Sequence, residues 1–179
     1  MSPASDPGSA PEPRASATEP LARIVDGPID TDAVIAAVAG HDAGAVAVFL
    51  GTVRETAHPA AAAAAAAGRP ARRVLFLEYE AYAPMAEAQM REIALALGRE
   101  IGPCRVAIVH RVGRLELGET SVAIAVASAH RRIALAACAE AIERIKKTVP
   151  IWKKEHFEGG AVWIEGDPSA PEGRFEAPR

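Results

Sequence analysis

Four lysines crowd around a proline and a tryptophan in the stretch Lys146-Lys147-Thr148-Val149-Pro150-Ile151-Trp152-Lys153-Lys154, the densest cationic cluster of the chain. Two more cations, His130 and Arg131, open the same region at what reads as a helix start, and Arg54 stands where an apolar run ends. Cations gathered in this way suit an anionic substrate, a phosphorylated one above all. Neighbouring positive charge also lowers a lysine's pKa, which makes its amine usable as a base or nucleophile. No carboxylate pair, Ser-His-Asp arrangement or glycine-rich phosphate loop stands out beside them.

The element that must position these groups is a helix. Ile133, Ala137, Ala141, Ile145 and Val149 recur every four residues, so an amphipathic helix is expected from Arg132 to about Thr148, stopped by Pro150. A turn of about 100° per residue places Cys138 and Ile142 inside the apolar arc and Glu140, Glu143 and Lys147 opposite it. Lys146 falls at the arc's edge beside Leu135, where its stem can lie on the core while its ammonium reaches a cleft. Taken alone, a lysine at such a border more often only snorkels. Pro150 to Glu155 reads as a short rigid segment carrying Trp152 and Lys153 back from the helix end. His130 and Arg131 stand at the other end, where free N–H groups favour an anion. The two ends of such a helix are about 22 to 24 Å apart, so they converge on one small anion only if another element or another subunit spans the gap.

The remaining elements follow in order. Leu21 to Val25 is an expected short strand, and Asp30 or Thr31 caps a short helix running to Ala39 and ending at Gly40. Ala43 to Val53 reads as a buried strand that delivers Arg54. Ala60 to Ala67 is an alanine run without a polar face, read with its neighbours through residue 70 as a low-complexity loop insertion. Arg73 to Tyr82 alternates as a strand, and Pro84 opens a helix with Ala86, Met90, Ile93, Leu97 and Ile101 inward. Cys104 to Val112 is a strand with Val106, Ile108 and His110 on one side, His110 being more often a packed histidine than a catalyst. Gly113 to Glu119 carries turn elements, Thr120 to Ala129 is a further strand, and Ala161 to Glu165 a last one. Strands and helices mix without strict alternation, so the class is α+β.

With 179 residues the chain is long enough for one domain with a sizeable core. That domain is expected over 21–166, between a disordered tail over 1–20 and a loose tail over 167–179. Half the residues are hydrophobic but only 4% aromatic, so alanine, valine, isoleucine and leucine must build the core. A net charge of −3 argues against general nucleic-acid binding. The two cysteines lie far apart, so neither a disulfide framework nor a zinc site is expected. Without a membrane-length apolar run or a signal-peptide pattern, the simplest expectation is a cytoplasmic protein.

Five separated segments carry a specific resemblance: FLGTVRE (49–55), LEYEAYAPMA (77–86), HRVGRLELGE (110–119), SAHRRIA (128–134) and KKTVPIWKKE (146–155). In that order they resemble the catalytic (large) subunit of molybdopterin synthase, over about Leu21 to Asp167. The resemblance implies an α/β hammerhead fold with an added antiparallel β subdomain. It implies conversion of cyclic pyranopterin monophosphate to molybdopterin by installing two sulfurs as a dithiolene. The sulfur would come from the C-terminal Gly-Gly thiocarboxylate of a small ubiquitin-like carrier subunit, with a homodimer of the large subunit at the centre of a heterotetramer. No resident cofactor or metal is implied. By motif, Lys146 corresponds to the lysine that meets the carrier's terminal glycine and Lys153 to the second active-site lysine. Arg54, His130 and Arg131 correspond to anion-handling residues of the pocket, and Phe49 to an aromatic near it. The sequence departs from the pattern where the alanine-rich insertion lengthens the loop after Arg54. It departs again where Gly166-Asp167 follows the last tryptophan strand, in place of a basic residue.

Two other classes fit the residues alone. One is a lysine Schiff-base enzyme acting on a phosphorylated carbonyl compound; the other is a non-catalytic regulatory module that binds anions through the cationic cluster. Neither cysteine looks activated, since Cys138 falls on the apolar arc and Cys104 has no flanking cations, so sulfur arriving on a carrier fits better than a persulfide.

Overall fold

The computed structural model describes residues 19–55 and 73–164. The expected tails and the alanine-rich insertion lie outside those residues. Eight strands and three helices are described: β1 (Leu21–Val25), α1 (Thr31–Ala36), β2 (Ala45–Thr52), β3 (Val74–Ala81), α2 (Ala83–Glu100), β4 (Arg105–Arg111), β5 (Gly113–Glu116), β6 (Thr120–Ser128), α3 (Arg131–Thr148), β7 (Ile151–Phe157) and β8 (Gly160–Ile164). They form two four-stranded sheets, ordered β1-β4-β6-β2 and β5-β3-β7-β8. The first is mixed, its β1–β4 pair being parallel. In the second every described pairing is antiparallel. The mixture of helices and sheets is α+β, as expected, and the second sheet is the antiparallel addition that the resemblance implies.

Strand β6 is buried along nearly all its length because both faces of the first sheet are covered. Val122, Ile124 and Val126 meet α2 and α3. On the reverse face Ala123, Ala125 and Ala127 meet Val34 and Val38 at α1. Helix α2 presents Ala86, Met90, Ile93, Ala94 and Leu97 inward, and α3 presents Ala134, Ala137, Cys138, Ala141, Ile142 and Ile145. Alanines at the contact keep the helices close to the sheet, and the side chains fill a single core. Arg144 then ties α3 to α2 by donating from Nη2 to Glu100 at 2.6 Å, while its Nε donates to Glu140 one turn back on α3 at 2.9 Å.

Four expectations need correction. Helix α1 ends at Ala36, short of Ala39, its first turn held by Asp30 accepting from the Ala33 N–H. Gly113 to Glu119 is not only turns: β5 pairs with β3 before Gly118, at φ +84°, turns the chain into β6. The segment after Pro150 is a full strand, β7, at the centre of the second sheet. Leu135 is 62% exposed and Lys146 is exposed too, so the buried arc of α3 is narrower than its sequence suggests.

Candidate active site

The second sheet meets the end of β2 at a seam, and a cleft of about 100 Å³ opens there, lined by Thr52, Arg54, Val74, Leu77, Tyr79, Lys153 and Glu155. Alternation along β7 sends Lys153 and Glu155 to the same face. Opposite them on β3 stand Tyr79 and Leu77 in register. Lys153 Nζ lies 3.1 Å from Glu155 Oε1.

Arg54 reaches the cleft from the first sheet. Its predecessor Val53 is buried, donates its N–H to the Glu119 carbonyl at 3.0 Å and accepts from the Gly118 N–H at 2.8 Å. Its successor Glu55 accepts from the Val74 N–H at 2.9 Å and pairs with Arg73. The backbone on both sides of Arg54 is therefore anchored, one side to the β5–β6 turn and the other to β3. Two irregularities interrupt the strand pairing next to this point. Ser121 is the extra residue where Gly51 pairs with Val122 and Thr52 with Thr120. Leu75 is the extra residue where Val74 pairs with Phe157 and Phe76 with His156. A Cβ at Gly51 would stand 2.7 Å from the Val122 Cγ1, so a larger residue there would force Val122 or the strand to shift.

A half-buried tyrosine lines the cleft and touches a buried histidine outside it. Burial pushes the Tyr79 phenol above its ordinary range, so it stays protonated at neutral pH. Its ring sits edge-on to His110, with centroids 5.1 Å apart. Burial also pushes His110 down to about 4, so the imidazole is neutral at pH 7. His110 Nδ1 lies 2.9 Å from the Arg111 carbonyl, which can only accept, so the proton resides on Nδ1. His110 is thus the packed histidine its sequence position suggests.

Of the six candidate residues, the structure brings Arg54 and Lys153 into one cleft. Lys146 is exposed in the last turn of α3, and His130 and Arg131 are exposed at its first turn, so within one chain these three line neither that cleft nor a common site. Phe49 packs half-buried against the helix-facing core, two residues before Gly51, and does not line the cleft. Tyr79 and Glu155 were missed as cleft residues. Period-two spacing from Lys153 would have found Glu155 had 151–157 been read as a strand. Both cysteines have thiols raised by burial, which leaves them poor nucleophiles. Among the described residues, no three of His, Cys, Asp or Glu gather as a metal site, and no helix is long and apolar enough to cross a membrane.

Fold and cleft together define an α+β protein with an added antiparallel sheet and a cleft lined by two cations, Arg54 just past the end of β2 and Lys153 in β7. The model of the MoaE protein family matches residues 24–148. The chain is 43% identical over 154 residues to a molybdopterin synthase catalytic subunit of Halalkalibacterium halodurans, covering 84% of this chain and 90% of the relative. It superposes on the crystal structure of molybdopterin synthase from Staphylococcus aureus with a TM-score of 0.71 at 39% identity, covering 80% of this chain and 96% of that one. A Helicobacter pylori complex of subunits 1 and 2 of molybdopterin-converting factor shares the fold, with a TM-score of 0.61 at 19% identity, covering 80% of this chain and 89% of that one. The chain belongs to the MoaE family of molybdopterin synthase catalytic subunits, enzymes of molybdopterin biosynthesis.

Proposed function

We propose that this chain is the sulfur-installing subunit of a molybdopterin synthase, acting on cyclic pyranopterin monophosphate with sulfur from the C-terminal thiocarboxylate of a small ubiquitin-like carrier. The observation that carries this reading is the pairing of Arg54 from the first sheet with Lys153 from the second across one cleft. A guanidinium and an ammonium in one cleft suit a phosphate ester, each neutralising part of its charge. Family membership supplies the reaction, and the Helicobacter pylori complex supports a small-subunit partner.

In this reading the carrier's thiocarboxylate sulfur forms a C–S bond to a side-chain carbon of the pterin as a C–O bond at that carbon breaks, the oxygen leaving with the phosphate or as water, while Arg54 and Lys153 hold the phosphate. Water then cleaves the acyl–sulfur bond and the carrier leaves as a carboxylate, so two carriers are consumed per dithiolene. The raised thiols of Cys104 and Cys138 support sulfur delivery by a carrier rather than by a persulfide on this chain. Lys146, His130 and Arg131 enter through assembly. In a homodimer, the two ends of α3 serve different clefts, and Lys146 meets the carrier's terminal glycine. Strand β2 supports such an assembly: it is a sheet edge on which Val46, Val48 and Leu50 are each 43% exposed in alternation. The resulting heterotetramer is placed in the cytoplasm.

The test is to incubate the chain with thiocarboxylated carrier and pterin precursor and to detect the dithiolene product by mass. Borohydride added during turnover should trap no lysine adduct of the precursor. A trapped adduct without any carrier requirement would replace this reading with a Schiff-base enzyme.

A further inference from the structure

The backbone anchor just before Arg54 is itself held by one carboxylate. Glu116 to Glu119 form the turn through which the chain passes from β5 in the second sheet to β6 in the first. The turn closes where the Glu119 N–H donates to the Glu116 carbonyl at 3.1 Å, with Gly118 at φ +84°. The Glu119 side chain fastens the same turn twice more. Its Oε2 accepts from the Glu116 N–H at 2.7 Å, and its Oε1 accepts from Arg111 Nη1 at 3.0 Å. The Glu116 N–H, and after it the Arg111 guanidinium, hold the Glu119 carboxyl below the usual carboxylate range, so it is ionised at neutral pH. Arg111 ends β4, its side chain is only 11% exposed, and its Nη2 also donates to the Arg114 carbonyl at 3.3 Å. Its guanidinium therefore ties the turn to the end of a central strand of the first sheet. Two backbone groups of this turn, the Gly118 N–H and the Glu119 carbonyl, both bond Val53, the residue before Arg54.

We infer that Glu119 is a positioning residue for the cleft: by fixing the turn that grips Val53, it sets where Arg54 stands relative to Lys153. Glu119 does not line the cleft, so it acts through the backbone of Val53 and not on the substrate. An anion bridging Arg54 and Lys153 needs both cations at one spacing. Glutamine at 119 keeps the volume but has a single acceptor oxygen, which can take the place of only one of the two carboxylate oxygens. The loss leaves both cations of the cleft present but loosens their spacing, so it weakens substrate binding more than the chemical step.

The inference rests on the proposed function, and its test separates the two. The assembled enzyme with thiocarboxylated carrier is assayed for KM and kcat toward cyclic pyranopterin monophosphate. The variants are Glu119→Gln, Arg111→Lys, Arg54→Ala and the double variant Glu119→Gln/Arg54→Ala. Calorimetric binding of the precursor replaces KM where turnover is too slow. Glu119→Gln and Arg111→Lys are each expected to raise KM on the order of tenfold, the scale of one lost hydrogen bond, with kcat within about twofold. In the Arg54→Ala background, Glu119→Gln should change binding less than about twofold, because the group it positions is gone. A merely structural role would lower the folded fraction, and so the apparent kcat, while leaving KM where it was. That pattern, or an unchanged KM in Glu119→Gln, overturns the inference. So does an equal rise with and without Arg54, which would mean that the turn acts on the cleft by another route. Glu119→Gln is nearly isosteric and keeps the test decisive if Arg111→Lys unfolds. A wild type that makes no dithiolene removes the functional reading and this inference with it; an active wild type with an unresponsive Glu119→Gln removes only the positioning role.

Discussion

The ammonium of Lys153 stands 3.1 Å from the carboxylate of Glu155, and Glu155 is only 4% exposed. The contact holds each side chain in one direction, and removing one member leaves the other without its partner at the cleft. Glu155→Gln keeps the volume and removes the charge. It is expected to cost about 1–3 kcal/mol of stability, toward the lower end because Lys153 keeps some contact with water, and to lower turnover. Urea titration and single-turnover assay check both. Unchanged values in both would show that the pair is idle.

Lys146 and Lys147 are neighbours on α3 and both exposed, so alanine at either should leave the unfolding free energy within about 0.5 kcal/mol. Their functions are expected to differ. Lys147→Ala removes only a 3.9 Å pair with Glu143 and should leave product formation near normal. Lys146→Ala should abolish most of it while the carrier still binds, since one tail contact is a small part of a docking surface. Equal losses in single-turnover assays would remove the assignment of Lys146.

Arg131 and Lys153 serve one cleft only if two copies contribute to it. Arg131→Ala and Lys153→Ala proteins should each be inactive alone. Mixed at equal amounts and reassembled, half the dimers are hybrids with one intact site of two, so activity should recover to about a quarter of wild type. No recovery in verified hybrids would place both residues in the same chain's cleft or neither in any.

His110 predicts a pH dependence of stability. It titrates at its ordinary 6.5 when unfolded and at about 4 when folded, so between those values the unfolded chain binds the extra proton and acid favours unfolding. The contribution is fully present above about pH 6.5 and is lost as pH falls toward 4, by about 3 kcal/mol in all. His110→Asn, which preserves a donor to the Arg111 carbonyl, should flatten that part of the curve measured by urea titration. An unaltered slope would show that other groups cause it.

How far the sequence spoke for the fold depended on whether burial or pairing decides each element. Helix α3 was legible because its buried side chains, Ala134, Ala137, Cys138, Ala141, Ile142 and Ile145, recur at helical spacing. Strand β4 was legible for the same reason, its alternate residues dividing between two cores. Strand β7 was not. Its inward face carries Lys153 and Glu155, which satisfy each other instead of meeting apolar partners, so the segment lacks the pattern of a central strand. Lys153 and Arg54 were legible by motif as members of one site. That Tyr79 and Glu155 join them was hidden, because pairing across the seam is set by contacts far apart in the chain, such as Val74 with Glu55 and Val53 with Glu119. The helix phase of Lys146 misled because Leu135, counted as an edge of the core, faces water.

The seam gives the cleft a mechanical meaning. Arg54 follows the end of β2 in one sheet and Lys153 lies in β7 of the other, so an anion held by both would be a non-covalent crosslink between two layers of the molecule. Binding is then coupled to the cohesion of the whole fold rather than to one wall of a pocket. A phosphate-bearing ligand at 100 times its Kd adds about 2.7 kcal/mol against unfolding, and opening the seam without unfolding must also release the ligand.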